Sequence, residues 1–173
     1  MEILILLEKG IWFGFAALGF AIVFNVPQRT LITIYFLAAV GGLFKVFLLK
    51  AGIDVIIASF LGASLIGVLS IPAAHNKHAP PLVFSIPALI PMVPGVFGYR
   101  TMLGIMKLAT EINNDNYSLI VNQTINNGIK TILITLALAA GASIPMLATR
   151  KSSVKNLKIH KRSIDNEAIT KGK

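Results

Sequence analysis

The chain has 173 residues, of which 55% are apolar and only 13% are charged, and its mean hydropathy is +0.76. A soluble domain usually carries about 25% charged residues, so the composition argues against an ordinary water-soluble fold. The chain has no cysteine, which excludes disulfides, thiolate metal sites and cysteine nucleophiles. The formal charge is +9, but residues 150–173 hold eight basic and two acidic residues, a net +6.

That charge distribution is typical of a basic segment held on the cytoplasmic side of a membrane. We prefer this interpretation to binding of lipid headgroups or a partner by the tail, and to RNA binding. The apolar residues come in runs near the length that crosses the roughly 30 Å of hydrocarbon as a helix. They do not alternate with period two, as strands of a membrane barrel would. The sequence therefore predicts an all-α integral membrane protein. Its transmembrane domain covers residues 1–149, and a basic cytoplasmic tail that we expect to be disordered covers residues 150–173.

About five membrane helices are predicted. In chain order they cover residues 4–26, 31–49, 53–74, 82–108, and from Tyr117 or Ser118 to just before Pro145, with a loop at residues 75–81. With five spans and the tail inside, the N-terminus lies outside; a re-entrant fourth segment would give four spans. Pairs of small residues four apart predict close helix packing: Gly10 and Gly14, Ala58 and Gly62, Ala63 and Gly67, Ala137 and Gly141.

The fourth segment contains three prolines within two helical turns, Pro87, Pro91 and Pro94, followed by Gly95. Each proline removes a backbone donor and clashes with the carbonyl four residues before it. We therefore predict a helix broken around residues 92–95. Backbone opened at membrane depth must be buried in protein or line a wet cavity, and a half-helix starting near Pro94 would favour an anion.

Arg100 lies five residues past this predicted break, inside an apolar run. A guanidinium pairs well with a carboxylate, and Tyr99 adds a hydroxyl beside it. Pro91, Pro94, Gly95, Tyr99 and Arg100 are therefore candidate substrate-binding residues. The alternative is a proline kink that shapes packing, with Arg100 bound to a carbonyl or to a partner subunit.

The fifth segment carries a polar stripe in which Asn122, Asn126 and Lys130 recur every four residues. A neighbouring stripe holds Asn127, Thr131 and Thr135. Such stripes either line a pathway or join helices together, and the sequence leaves both open. Asn126 and Asn127 are added to the candidate substrate-binding residues.

The sequence offers little that catalysis could use. His75 and His78 lie three apart, too few for a metal site, and the chain has no phosphate-binding glycine loop, HExxH motif or nucleophile elbow. We therefore predict a protein that is not an enzyme and that needs no cofactor or metal.

Two stretches resemble signatures of the threonine/serine exporter family. They are GFAIVFNVPQR at residues 19–29, which contains Asn25, and IPMVPG with Tyr99 at residues 90–99. The likeness extends to Gly41 and Gly42, to Asn127 and to residues 143–145, and it is strongest to the short, split form of the family. There a small B subunit pairs with a larger A subunit, as in the enteric succinate exporter. The resemblance adds Asn25 to the candidate substrate-binding residues.

The resemblance implies proton- or ion-coupled export of a small acid, such as threonine, serine or a dicarboxylate, across the cell inner membrane. The implied partners are a larger membrane subunit, membrane lipids, a small organic-acid substrate and a further copy of the chain in a homo-oligomer. A non-transporting scaffold that assembles with a larger subunit remains the alternative. The sequence does not choose the substrate or the coupling ion.

Overall fold

The computed structural model describes residues 2–110 and 117–149, and every regular element in these two ranges is helical. The helices are α1 (Glu2–Val23), α2 (Leu31–Lys50), α3 (Val55–Lys77), α4 (Pro81–Leu89), α5 (Gly95–Thr110) and α6 (Tyr117–Thr149), with short 3-10 turns at Gln28–Thr30 and Ile90–Met92. The predicted tail at residues 150–173 lies outside the described residues.

Four of the helices, α1, α2, α3 and α6, are long and apolar enough to cross a bilayer. The pair α4–α5 meets the same criteria together and is bent by 53° at a short break. The chain is therefore an all-α integral membrane protein with four spans, or five where the bent pair counts as one span, as the sequence predicted.

The first three helices alternate in direction and pack through glycines. Gly10 of α1 faces Leu43 of α2, and Gly42 faces Phe13, which requires α1 and α2 to run antiparallel. Gly62 of α3 lies against the Gly41 carbonyl of α2, since a Cβ added to Gly62 would lie 3.3 Å from that oxygen. Because glycine has no side chain, the backbones approach closely where lipid provides no hydrophobic drive for association. This confirms the predicted packing role of Gly10 and Gly62.

The last helix, α6, runs parallel to α3. Gly141 lies beside Phe60 and Ala63, and Gly67 lies beside Ala142. Residue numbers therefore increase in the same direction along both helices. The third helix, α3, precedes α4 and shares its direction with α6. The bent pair α4–α5 must therefore cross once in the opposite direction, which favours five crossings over a re-entrant hairpin.

The same register carries the first half of α6 beyond the end of the bundle. Ala63 is level with Gly141, which places Val55, the first residue of α3, near residue 133 of α6. Residues 117–132 therefore extend about 24 Å past the start of α3, at 1.5 Å per residue. Their helical neighbour is α5. We call α5 together with residues 117–132 the α5/α6 arm.

Three predicted boundaries are wrong. The first segment does not end at residue 26, because α1 ends at Val23. The fifth segment does not end before Pro145, because α6 continues through this proline to Thr149. The third segment does not end at residue 74, because α3 contains Pro72 and continues to Lys77, where His78 closes it in the left-handed conformation (φ 49°). Membrane helices tolerate internal proline when neighbouring helices support the freed backbone, and Pro145 lies against Gly67.

Candidate functional site

The fourth span is broken where the prolines predicted it. The 3-10 turn ends at Met92, Val93 and Pro94 are not helical, and α5 starts at Gly95. The Val93 amide donates to the Ile90 carbonyl at 3.0 Å, and the Gly95 amide donates to the Val93 carbonyl at 2.9 Å. The break is a tight local turn. Pro87 lies inside α4 without interrupting it.

A lysine of the second helix is bound to this break. Lys45 Nζ donates to the Met92 carbonyl at 3.0 Å, and Met92 itself is only 1% exposed. A hydrogen bond from a charged group contributes about 1.5–3 kcal/mol, and an unsatisfied buried carbonyl costs about 1–3 kcal/mol. No local pattern connects Lys45 with residue 92, which lies 47 positions away.

The second polar feature is a pocket of about 190 Å³ between α5 and α6. Its walls come from two helical faces with three- and four-residue spacing: Arg100, Leu103, Gly104 and Lys107 on α5, and Ile120, Gln123, Thr124 and Asn127 on α6. Gly104 lets the helices meet here, since a Cβ added to it would overlap the Thr124 side chain. The pocket begins about 7.5 Å past the start of α5, at 1.5 Å per residue.

The chemistry of this pocket suits an anion. Arg100 and Lys107 supply cationic donors, and the amides of Gln123 and Asn127 supply neutral ones. The Thr124 hydroxyl donates to the Ile120 carbonyl at 2.7 Å, which fixes its orientation. The eight described lining residues include no carboxylate. The pocket can therefore hold a carboxylate through the forked donors of Arg100, with a second cation two helical turns away.

The structure brings two of the predicted substrate-binding residues together: Arg100 and Asn127 line the same pocket. Tyr99 and Asn126 are exposed and are not among the lining residues, and 65% of Tyr99 is accessible. The roles of all these residues stay predictions.

The other four predicted residues lie elsewhere. Pro94 and Gly95 form the break, while Pro91 lines an apolar depression beside Lys9 and Trp12 of α1. Asn25 follows the end of α1 in the left-handed conformation, at φ 52°. The neighbouring Phe24 and Val26 lie beside Leu82, Val83, Ile86 and Pro87 of α4. Asn25 is thus close to the start of α4, whereas Pro94 and Gly95 lie beyond its end.

The polar stripes of α6 contain residues that contact α5, residues that line the pocket and residues that are exposed. Asn122 and Asn126 are exposed on the arm, and Lys130 Nζ lies 5.8 Å from the centre of the Phe97 ring. Thr131 and Thr135 donate to the carbonyls of Asn127 and Thr131 at 2.8 Å each. Lys130 therefore joins α6 to α5, the two threonine hydroxyls bond within α6, and Asn127 lines the pocket.

Sequence reasoning did not single out Lys107, Gln123 or Thr124. A signal was present: residues 100, 104 and 107 share one face of α5, and residues 120, 123, 124 and 127 share one face of α6. Pairing these faces requires the antiparallel register of the two helices, which Gly104 against Thr124 and Gly128 against Thr101 now provide.

Comparison with known proteins identifies the class of molecule. The model of the family described as "Threonine/Serine exporter, ThrE" matches residues 9–148, most of the chain. The chain belongs to the threonine/serine exporter family.

One curated relative of this chain comes from Haemophilus influenzae and is named an uncharacterized protein. The two are 34% identical over 132 residues, which is 76% of this chain and 43% of the relative. The chain thus spans less than half the length of the curated relative it matches. No solved structure matches the chain.

Proposed function

We propose that this chain is the small membrane subunit of a two-component secondary exporter of small amino or dicarboxylic acids. The observation that carries the proposal is the α5–α6 pocket, in which Arg100, Lys107, Gln123 and Asn127 offer cationic and amide donors without a lining carboxylate. A substrate carboxylate bound to Arg100 would exchange its water shell for these fixed donors. Dicarboxylates would use the second cation as well.

The two-component arrangement is supported by the surface of the α5/α6 arm. On the arm, Val96, Met102 and Met106 are exposed next to the exposed polar groups of Arg100 and Asn122. Lipid tails suit the three apolar side chains but not Arg100 and Asn122, so a protein partner fits this mixed surface better than lipid does.

The proposed mechanism is alternating access coupled to a proton or another ion. The break at Val93–Pro94 lets α5 change its angle to α4 without breaking helical hydrogen bonds. Motion of α5 would carry Arg100 and Lys107 relative to the bundle formed by α1 to α3. The orientation that we propose places the C-terminus in the cytoplasm and the chain in the cell inner membrane, because the basic tail follows α6 directly.

The proposal is tested by efflux from cells that express the chain together with its larger partner and are loaded with labelled threonine, serine or succinate. R100Q should lower efflux at equal protein level, because it removes the charge and the forked donors, while R100K should keep part of it. R29Q is the matched control, since Arg29 is exposed in the turn before α2. Equal efflux by R100Q and R29Q would rule out the role assigned to Arg100.

A scaffold subunit is the second candidate, and the exposed α5/α6 arm favours it, because such a surface also suits assembly without transport. Liposomes containing the partner with and without this chain separate the two functions. Full transport by the partner without this chain would establish the scaffold and would leave the pocket without a transport role.

A further inference from the structure

Lys45 makes an unusual contact for a lysine near the end of a membrane helix. It lies five residues before the end of α2. Lysines in this position commonly extend along the helix and place the ammonium at the membrane surface. Lys45 instead turns into the bundle, where its Nζ donates to the Met92 carbonyl at 3.0 Å.

The surroundings of this contact leave it little freedom. The Met92 side chain is buried against Gly62 of α3, where an added Cβ would lie 2.7 Å from Met92 Cε and 3.3 Å from Lys45 Cβ. The same added Cβ would lie 3.3 Å from the Gly41 carbonyl of α2. The backbones of α2 and α3 and the Met92 side chain therefore converge at one point, and Lys45 of α2 lies beside it.

The acceptor of this hydrogen bond is a backbone carbonyl that the break leaves without its helical partner. In an uninterrupted helix the Met92 carbonyl would accept the amide of Val96, four residues later. Pro94 and the bend of 53° separate these two groups. The Lys45 ammonium thus occupies the place of a missing backbone donor and connects α2 to the hinge of the fourth span.

We propose that Lys45 is a positioning residue that fixes the direction of α5 by holding the Met92 carbonyl. α5 carries Arg100 and Lys107, so the same bond sets where the pocket stands relative to α1–α3. Its importance for transport rests on the proposed function, whereas the positioning itself does not. Lys45 is not among the residues that line the pocket, so it acts through the hinge.

The direction of α5 can be measured by the distance between two nitroxide labels. The chain has no cysteine, so I57C and M106C are the only attachment points needed, and both side chains are exposed in the native chain. K45M removes the donor and keeps a side chain of similar length. Met106 lies about 16 Å along the helix from Gly95, so turning α5 by about 20° moves it by about 6 Å.

We expect K45M to shift or broaden the label distance by about this amount. K45R should restore the native distance, because a guanidinium also donates to a carbonyl. K77M is the control, since Lys77 ends α3 and is exposed. The same label distance in K45M and K77M would overturn the proposal. A label distance in K45R that equals the altered distance in K45M would overturn it as well.

A second variant covers the case in which K45M does not accumulate. K45Q keeps a polar side chain that ends one bond short of the lysine ammonium, so it should lose the 3.0 Å bond to the Met92 carbonyl and change the label distance in the same sense. An unchanged distance in K45Q would overturn the proposal. Efflux by the same variants separates the exporter proposal from the positioning role of Lys45. If the unaltered chain with its partner transports nothing, the proposed function is wrong. The label distance then still tests the role of Lys45.

Discussion

The contact between Gly104 and Thr124 shapes the candidate pocket, so G104A is the substitution that probes it most directly. An alanine Cβ at residue 104 would overlap Thr124 Oγ1 and would lie 2.9 Å from Thr124 Cβ and 3.0 Å from Thr124 Cγ2. Non-bonded carbon atoms prefer about 3.5–4.0 Å. Rotation of the threonine moves Cγ2 but not Cβ, so α5 and α6 must separate by about 0.6 Å or more.

The expected cost follows from this geometry. Inserting a methyl group into a packed interface typically costs about 1–3 kcal/mol. That range corresponds to a change of about 5- to 150-fold in the equilibrium between the paired and the separated arm. G98A is the matched control, because it lies on the same helix and interface and its added Cβ would be 3.7 Å from Thr131 Cγ2, an ordinary contact.

Disulfide formation reports on the pairing of the arm. Gly128 faces Thr101, with 3.4 Å between an added Cβ and Thr101 Cγ2, so T101C and G128C form a suitable pair in a chain without native cysteines. We expect G104A to slow cross-linking of this pair by at least about 5-fold, with G98A unchanged. Equal rates in G104A and G98A would refute the packing argument and the pocket shape that depends on it.

The structure makes further predictions at single residues. G67A should lower thermal stability in detergent by about 1–3 kcal/mol, because its Cβ would lie 2.9 Å from the Ala142 carbonyl, and equal melting of G67A and G19A would contradict this. D54A should cost about 1 kcal/mol in the same assay through loss of a helix N-cap, while D54N should cost less, since the Asp54 carboxylate accepts the Ile56 amide at 2.8 Å. N25A should destabilise by about 1–2 kcal/mol and N25G should not, because residue 25 has φ 52°. K107Q should reduce efflux of succinate more than efflux of threonine if Lys107 is the second cation of the site, and equal losses would argue against that role.

The features that sequence reasoning predicted depend on local chemistry. The break before Gly95 follows from prolines that lack donors, wherever the rest of the chain lies. Asp54 sits at the start of α3, as its affinity for a helix N-terminus suggests. Gly62 and Gly67 lie at helix contacts because lipid-embedded helices need small residues to approach.

The features that it missed depend on register and on partners distant in sequence. The bond between Lys45 and Met92 joins α2 to the fourth span, and no local pattern selects that pair. Lys107 and Thr124 belong to one pocket because α5 and α6 run antiparallel with a particular offset. Pro145 failed as a boundary because the Gly67 face of α3 supports the helix through it, and proline chemistry considered for a single helix does not include that support.

The direction of the fourth span has a consequence for gene architecture. With the bent pair α4–α5 counted as one span, the described helices make five crossings, which place the start of α1 and the end of α6 on opposite faces of the membrane. If two such units were fused in one polypeptide, the second would begin on the face where the first ends and would insert upside down. Fusion would then generate the inverted pseudo-symmetry on which many secondary transporters rely. A separately synthesised unit has no such tether and must take its orientation from its own flanking charges.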